Sequence, residues 1–473
     1  MEIKLREIAP LRVQTALLAV PVTDKDLGEG LVRRLDRQLK GRLGALVKKS
    51  SFAARRGTSL LVATHGAMPT GHVLLVGLGK HEEDGLHAWR MAGAAAVKEA
   101  GRVWADEAIF MLPPDQQTES VVGAVTEGAL LNAYRFTKYR SNDKQTAPLR
   151  TLILGRTASG SSAALTRAVK RAKLSVSGVC LARDLVNEPP STATASYLSE
   201  QAKVHCRGEG LKVEVWGKRK IEQMKLAGLL AVNQGSREEP RFIHMRYTPK
   251  GRPKKKIALI GKGITFDSGG LSLKPARSME TMKLDMAGGA AVIGVMSVLP
   301  ELAPDAEVIG LVPATDNLPD GGAQKPGDVI RYLNGKTVEV MNTREGGHSR
   351  GTWCPGPGGP RKNPDCMLII WPPSHGALPV SSPWHDRDAG LFIDEKRRER
   401  AARLFECGRS IDRGGLWQLP LSGRVPSRDI KSPGRRHQER IVWEAVGGRA
   451  ITAALCPAGI RQNEVFVPWR PWT

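Results

Sequence analysis

The sequence predicts an α/β protein in which a smaller N-terminal α/β domain precedes a larger C-terminal α/β domain with a mixed central sheet. Three observations predict it. Short apolar runs of strand length alternate with segments of helical period. Those runs are continuously apolar, as in strands covered on both faces. A chain of 473 residues, 41% hydrophobic and 25% charged, is long enough for two or three domains with sizeable cores.

The elements come in order. In the first part "TALLAVPV" (15–22), "SLLVATHG" (59–66), "HVLLVGLG" (72–79) and "LRTLILG" (149–155) read as buried strands of a mainly parallel sheet. "HAWRMAGAAAVKEAGRVW" (87–104) reads as a helix between them. "SSAALTRAVKRAKLSVSGVCLARDLVNEPP" (161–190) reads as a helix with a basic face that joins two domains. Pro189 and Pro190 stop it, because proline cannot continue a helix. This sets an N-terminal domain over 1–165, a linker helix over 166–190 and a second domain over 191–473. Next come an amphipathic helix near "SYLSEQAKVHC", a strand "LKVEVWG", a helix from Ile221 and a strand within "PRFIHMRYTP". A basic hairpin, "KGRPKKK", leads to the strand "IALIG". "METMKLDMAGGAAVIGVMSVL" (279–299) has helical period, with small residues for close packing, and "AEVIGLVPAT" (306–315) is another buried strand.

Composition excludes several classes. Six cysteines in so long a chain, none spaced C-x-x-C, make neither a disulfide framework nor a zinc knuckle, and a reducing cytoplasm fits. No unbroken run of 18 apolar residues occurs, so no membrane span is expected. "TALLAVPV" is short and followed by charges, which suits a buried strand better than a signal peptide. The net charge of +24 attracts polyanions such as nucleic acid. No basic patch with interleaved aromatics accompanies it, so a solvated basic surface is the simpler reading. The glycines of "VGLGK" lack the spacing and the acidic residue of a dinucleotide loop.

The chemistry concentrates in "GKGITFDSGGLSLK", Gly261 to Lys274, directly after the apolar strand "KKKIALI". Open α/β sheets place ligands where strands end and the chain turns. A glycine-rich turn there often cradles phosphate, but Asp267 would repel one. Asp267 lies in a tight turn where Gly269 and Gly270 permit unusual backbone angles. Asp285 lies on the following helix and can face the same crevice. Converging carboxylates suit Mn²⁺, Mg²⁺ or Zn²⁺. Lys262 is a ligand only if neutral, and a neighbouring cation lowers its pKa. Taken alone, the same residues also read as ordinary turn aspartates and surface lysines.

"GKGITFDSGGLSLKP" followed by "METMKLDMAGGAAVIGVM" resembles the signature of the leucine aminopeptidase family, the cytosolic two-metal aminopeptidases. "ARDLVNEPP" (182–190) is similar to that family's linker motif, and 311–343 to the strand and loop that come after the signature. "HVLLVGLGK" and "NAYRFTKY" resemble pieces of its N-terminal domain, so the likeness runs nearly continuously over 1–343. The resemblance implies a metallo-exopeptidase that removes leucine and other residues from peptides with a free N-terminus. It implies two divalent ions, Mn²⁺ or else Zn²⁺ or Mg²⁺. Lys262 and Asp285 would bind one ion, and Asp267 would bridge both. Lys274 would remain charged, polarise the scissile carbonyl and stabilise the developing oxyanion. Water activated by the ions would be the nucleophile. A cytoplasmic homohexamer is the implied assembly.

The pattern then breaks. The family's next motif, N-T-D-A-E-G-R, supplies two more carboxylate ligands and a catalytic arginine. Here the chain reads "NTREGGHSRG": Asn342 and Thr343 fit, Arg344 stands at the aspartate's position, Glu345-Gly346 reads as the E-G pair displaced by one residue, with Glu345 the candidate ligand, and His348, Arg350 and Arg344 are the alternatives for the arginine's place. Seven of the ten tryptophans and four of the six cysteines lie beyond residue 350, among crowded Arg, Pro and Gly. Islands of likeness such as "NPDCMLII" and "VGGRAITAAL" alternate with foreign text over 344–473, as local reading-frame shifts in a GC-rich gene would produce. The second ion, left with Asp267 and Glu345 beside the Arg344 guanidinium, should bind weakly, and peptidase activity should be severely reduced. The alternative is a non-catalytic, basic, nucleic-acid-binding descendant of the same fold. His348 reads as a solvated loop residue, Met279, Met282 and Met286 as core or pocket lining, and Glu188 as a helix-end or interface residue.

Overall fold

The computed structural model describes residues 1–80, 85–141, 149–157 and 162–344. Beyond these it describes the backbone of four strands, Cys366–Trp371, Glu444–Val446, Arg449–Ile451 and Glu464–Pro468. The expected α/β architecture is present. The first domain contains β1 (Glu2–Glu7), β2 (Leu17–Thr23), β3 (Ser59–Ala63), β4 (His72–Gly79), β5 (Glu107–Met111) and β6 (Thr151–Arg156). Its helices are α1 (Gly30–Gln38), α2 (Arg42–Lys49), α3 (Leu86–Arg102) and α4 (Glu119–Ala133). The sheet order is β1-β6-β5-β2-β4-β3. Every pairing is parallel except that of β3 with β4.

All seven residues of β2 are buried because helices cover both faces. Leu17 and Ala19 pack with α3 and α4, and Leu18, Val20 and Val22 with Val32 and Leu35 of α1 and Leu43 of α2. The sequence pattern does not reveal β1, β5, α1, α2 or α4. β1 is an edge strand whose period rests on only two apolar residues, Ile3 and Leu5, and β5 is only five residues long. α4 is capped by Thr118, whose side chain accepts from Val121 N, and its all-round burial removes the amphipathic stripe.

Helix α5 (Ser162–Asn187) serves both cores. Leu165, Ala168 and Val169 pack into the first domain, and Ala182, Leu185 and Val186 into the second. The second domain continues with α6 (Ala195–His205), β7 (Leu211–Trp216), α7 (Lys218–Gln223), α8 (Ala227–Asn233), β8 (Arg241–Tyr247), β9 (Lys255–Gly261) and β10 (Gly263–Asp267). Then come α9 (Ala276–Met279), a 3-10 turn (Met282–Met286), α10 (Ala287–Leu302), β11 (Ala306–Asn317), a hairpin of β12 (Val329–Arg331) and β13 (Thr337–Glu339), and the four later strands β14 to β17. The sheet order is β17-β14-β9-β11-β8-β7, with β10 beside the far half of β11. β17, β14, β9 and β11 are parallel, β8 alone runs the other way, and β7 pairs antiparallel with β8, so the sheet is mixed as expected.

Three local readings are corrected. The helix assigned from Ile221 begins at Lys218, and Lys225 at φ 53° ends it before α8. The chain does not turn away after Ile260: it runs straight on through Gly261 into β10, and the turn comes after Asp267. Residues 279–286 are not part of the helix that begins at Ala287, so Asp285 sits in the 3-10 turn rather than on α10. Among the described residues one helical run, Ala276–Leu302, is apolar enough to cross a membrane by length and composition, and 78% of its apolar window is buried inside the fold. It is not an unbroken apolar run in the sequence because Glu280, Lys283 and Asp285 interrupt it.

Candidate metal centre

The centre forms where β10 ends and α10 begins. β9 and α10 meet there backbone to backbone. A Cβ on Gly261 would stand 2.3 Å from Gly288 O, and Gly289 N donates to Lys262 O at 2.7 Å. This close approach puts the 3-10 turn over the strand. Lys262 Nζ reaches Asp285 Oδ2 at 2.6 Å, with both side chains nearly sealed from solvent. β10 delivers Asp267, and Gly269 (φ 94°) and Gly270 (φ 61°) then reverse the chain so that Lys274 returns to it. Lys274 Nζ lies 2.6 Å from Asp267 Oδ2 and 3.1 Å from Met282 Sδ. Lys262, Asp267, Lys274 and Asp285 thus form two buried ion pairs, Lys262 with Asp285 and Lys274 with Asp267.

Asp267 is held from its other oxygen. Gly269 N donates to Oδ1 at 2.9 Å and Asn317 Nδ2 at 2.8 Å. Asn317 also donates to Thr343 O at 3.0 Å. Thr343 accepts from Ser272 N at 2.7 Å and donates to Gly269 O at 2.9 Å, stitching the turn to the segment after β13. Asn317, at the C-terminal end of β11, escaped the sequence reading. Its signal was present: the polar triplet Thr315, Asp316, Asn317 follows the apolar run 308–314 of a buried strand, the position where such sheets hold ligands.

Burial raises the Asp285 carboxyl above the ordinary carboxylate range; Lys262 opposes that shift, and the Asp267 charge adds to it. Asp285 Oδ2 meets the Lys262 ammonium at 2.6 Å, and no second donor reaches it. A buried carboxylate met by one lysine, with the charge of a second buried carboxylate nearby, suits a divalent cation. The set is small. Among the described residues no group of three or more His, Cys, Asp or Glu side chains converges. Asp267, Asp285 and a neutral Lys262 fit one ion and are too few for two. Glu345, His348 and Arg350 lie outside the described residues. Arg344 is described: its guanidinium donates to Ser272 O at 3.3 Å and Leu273 O at 3.1 Å, on the loop that carries Lys274.

A second polar cluster joins the domains behind this centre. Glu188 is buried, 4% exposed. It accepts from Lys138 Nζ and Tyr139 OH of the first domain, both at 2.6 Å, and more distantly from Tyr197 OH. Its interface position agrees with the sequence reading. Burial pushes its carboxyl up, but the bonds from Lys138 and Tyr139 outweigh that and hold it below the ordinary value of 4.5. A carboxyl depressed by folding stabilises the fold fully above its unfolded value and loses that contribution as pH falls through the folded value. The melting-temperature advantage of the wild type over Glu188→Gln is therefore expected to be constant near neutrality. It should shrink as pH drops below about 4.5. Thermal melts at a series of pH values check this, and an advantage that grows in acid contradicts it.

The chain is similar to known proteins along most of its length. Residues 180–348 match the model of the cytosol aminopeptidase family, catalytic domain, and residues 19–143 that of the cytosol aminopeptidase family, N-terminal domain. A probable cytosol aminopeptidase of Syntrophotalea carbinolica is 34% identical over 480 residues, covering 100% of this chain and 93% of that protein. Among solved structures, the bottromycin maturation enzyme BotP in complex with Mn is similar at TM-score 0.61 and 32% identity, over 75% of this chain and 72% of that one. A tomato leucine aminopeptidase mutant is similar at TM-score 0.64 and 29% identity, over 73% and 69% of the two chains.

Proposed function

Because the chain belongs to the cytosol aminopeptidase family, whose activity is metal-dependent removal of N-terminal residues from peptides, we propose that its chemistry is centred on Lys262, Asp267, Lys274 and Asp285. The observation that carries this is the pair of buried lysine–aspartate contacts, each 2.6 Å, at the C-terminal end of the strands.

A bound divalent cation supplies Lewis-acid activation of water and of the substrate carbonyl. The residues supply the rest. Asp267 and Asp285 offer the charge, and Lys262 joins them as a neutral amine. In the fold as it stands each carboxylate is paired with a lysine. A cation held there would take the place of Lys274 beside Asp267, and Lys262 would join the ligands only as a neutral amine. Lys274 is the catalytic residue of this reading: its ammonium would donate to the scissile carbonyl oxygen as negative charge builds there. Asn317 and Gly269 N keep Asp267 in one orientation while its partner changes.

The tighter cation position would be held by Lys262, Asp267 and Asp285. A second position would share Asp267 and draw on Glu345, and the neighbouring Arg344 guanidinium weakens it because it cannot lose its charge. Mn²⁺ is the favoured ion, supported by the Mn complex of a similar structure, with Zn²⁺ and Mg²⁺ as alternatives. A cytoplasmic location and a homohexamer go with the family reading. The domain limits 1–165, 166–190 and 191–473 are retained, supported by a helix that packs into both cores. The catalytic-domain match ends at 348, whereas the Syntrophotalea carbinolica relative aligns over the whole chain, as islands of likeness interrupted by local frame shifts after Arg344 would; re-sequencing codons 340–473 tests that reading. The comparisons lend the nucleic-acid-binding alternative no support.

The test is hydrolysis of an aminoacyl p-nitroanilide. Turnover is expected with added Mn²⁺, none with chelator, and a severely reduced rate relative to an intact family member. Arg344→Asp is expected to raise the Mn²⁺-dependent rate at least about tenfold by restoring a carboxylate where a cation is repelled. Near-normal turnover of the wild-type chain contradicts the weakened second position.

A further inference from the structure

We infer that Glu188 is a positioning residue through which the first domain sets the place of Asp285 and hence the cation affinity of the centre. This rests on the reading of Asp285 as a metal ligand. The connection is continuous. Lys138 and Tyr139 grip the Glu188 carboxylate, each at 2.6 Å, and so fix the chain just after α5. The preceding residue, Asn187, donates from Nδ2 to Tyr134 OH at 3.1 Å, and Tyr134 OH donates to Asp184 Oδ1 at 2.8 Å, so the first domain holds this helix end twice. Asn187 O is a terminal carbonyl of α5 with no intrahelical donor. It accepts from Lys283 Nζ at 2.9 Å. An ammonium at a helix C-terminus is also favoured by the helix dipole.

Lys283 stands in the 3-10 turn, two residues before Asp285 and one after Met282, which touches Lys274. A 3-10 turn has weaker internal hydrogen bonds than an α-helix, so its position depends on its anchors. One anchor is the α5–α10 contact, where a Cβ on Gly178 would lie 2.5 Å from Gly294 O and one on Gly294 2.3 Å from Gly178 O. That contact presses the helices together but lies well away from the turn. The bond from Lys283 to Asn187 ties the turn itself to the end of α5, and Glu188 determines where that end lies. The first domain therefore does more than pack: it supports a ligand of the second.

The experiment measures Mn²⁺ affinity of the full chain by the loss of the free-Mn²⁺ EPR signal, beside melting temperature. Removing an outer support of a metal ligand typically weakens affinity about 10–100-fold. Glu188→Gln and Lys283→Met are each expected to weaken Mn²⁺ binding about tenfold or more. Their double variant should be little worse than either, because both break one connection. Glu99→Gln, which removes a buried carboxylate paired with Arg102 at 2.9 Å in α3, is the stability control. It should lower the melting temperature and leave Mn²⁺ affinity unchanged. Tyr139→Phe deletes a single hydrogen bond to Glu188 and should weaken Mn²⁺ in the same direction even where Glu188→Gln folds poorly. A Glu188→Gln or Tyr139→Phe protein that melts earlier but binds Mn²⁺ like the wild type overturns the inference. Asp285→Asn separates the two levels. If it too binds Mn²⁺ like the wild type, the metal reading fails and the inference with it; if it alone loses binding, only the inference fails.

Discussion

Asp267→Asn is expected to weaken Mn²⁺ binding at least about a hundredfold and to destabilise the second domain at the same time. Both effects arise from one side chain. Asp267 is 2% exposed and carries the negative charge that balances Lys274, itself 6% exposed. Removing that charge leaves a buried ammonium whose remaining contact is the weak acceptor Met282 Sδ. Breaking one side of a buried pair costs about 3–5 kcal/mol, far more than the pair itself contributes. The double variant Asp267→Asn with Lys274→Met removes the orphaned charge and should recover most of the lost stability. It should recover none of the Mn²⁺ affinity, because the carboxylate is still missing. Calorimetric Mn²⁺ titration with urea unfolding of the three proteins checks this. A single variant that binds Mn²⁺ normally would remove Asp267 from the centre.

Gly261→Ala is the second large effect. The added methyl would meet Gly288 O at 2.3 Å, Gly288 C at 2.6 Å and Gly289 Cα at 2.8 Å. All three are backbone atoms and cannot rotate away, so α10 must move off β9. Overpacking of this kind usually costs about 1–3 kcal/mol, and a contact with rigid backbone belongs at or above the upper end. The same displacement carries the 3-10 turn and Asp285 away from Lys262, so Mn²⁺ affinity should fall with stability. Gly251→Ala is the control, since its added Cβ meets nothing within 4 Å. Urea unfolding and Mn²⁺ titration of both variants decide it: equal stability of the two proteins contradicts the close approach.

Much of the centre is legible in the sequence one residue at a time. Asp267 falls in a glycine turn, and Gly269 and Gly270 do adopt positive φ immediately after it. Lys262, Lys274 and Asp285 each stand out, and the structure brings them together in two pairs. The partners in those pairs are not legible. Lys274 meets Asp267 across a turn whose path depends on two left-handed glycines, and Lys262 meets Asp285 only because β9 and α10 touch. Asn317 lies 50 positions from Asp267, and Thr343 lies 74 from Gly269, yet these two hold the turn. The Lys138–Glu188 contact spans 50 positions and two domains. The reversal of β3 beside β4 is equally hidden, because an apolar run reads the same in either direction.

By itself, then, the order of residues determined the layered α/β class and the long joining helix, which depend on hydrophobic period, proline and glycine, all of them local. It marked Lys262, Asp267, Lys274 and Asp285 as candidates only through their resemblance to a family signature. Tertiary structure alone decided which lysine neutralises which aspartate, which distant amide and hydroxyl steady the turn, and which first-domain side chains grip the Glu188 carboxylate. Those choices depend on backbone contacts between segments far apart in the chain, whose distances no local pattern encodes.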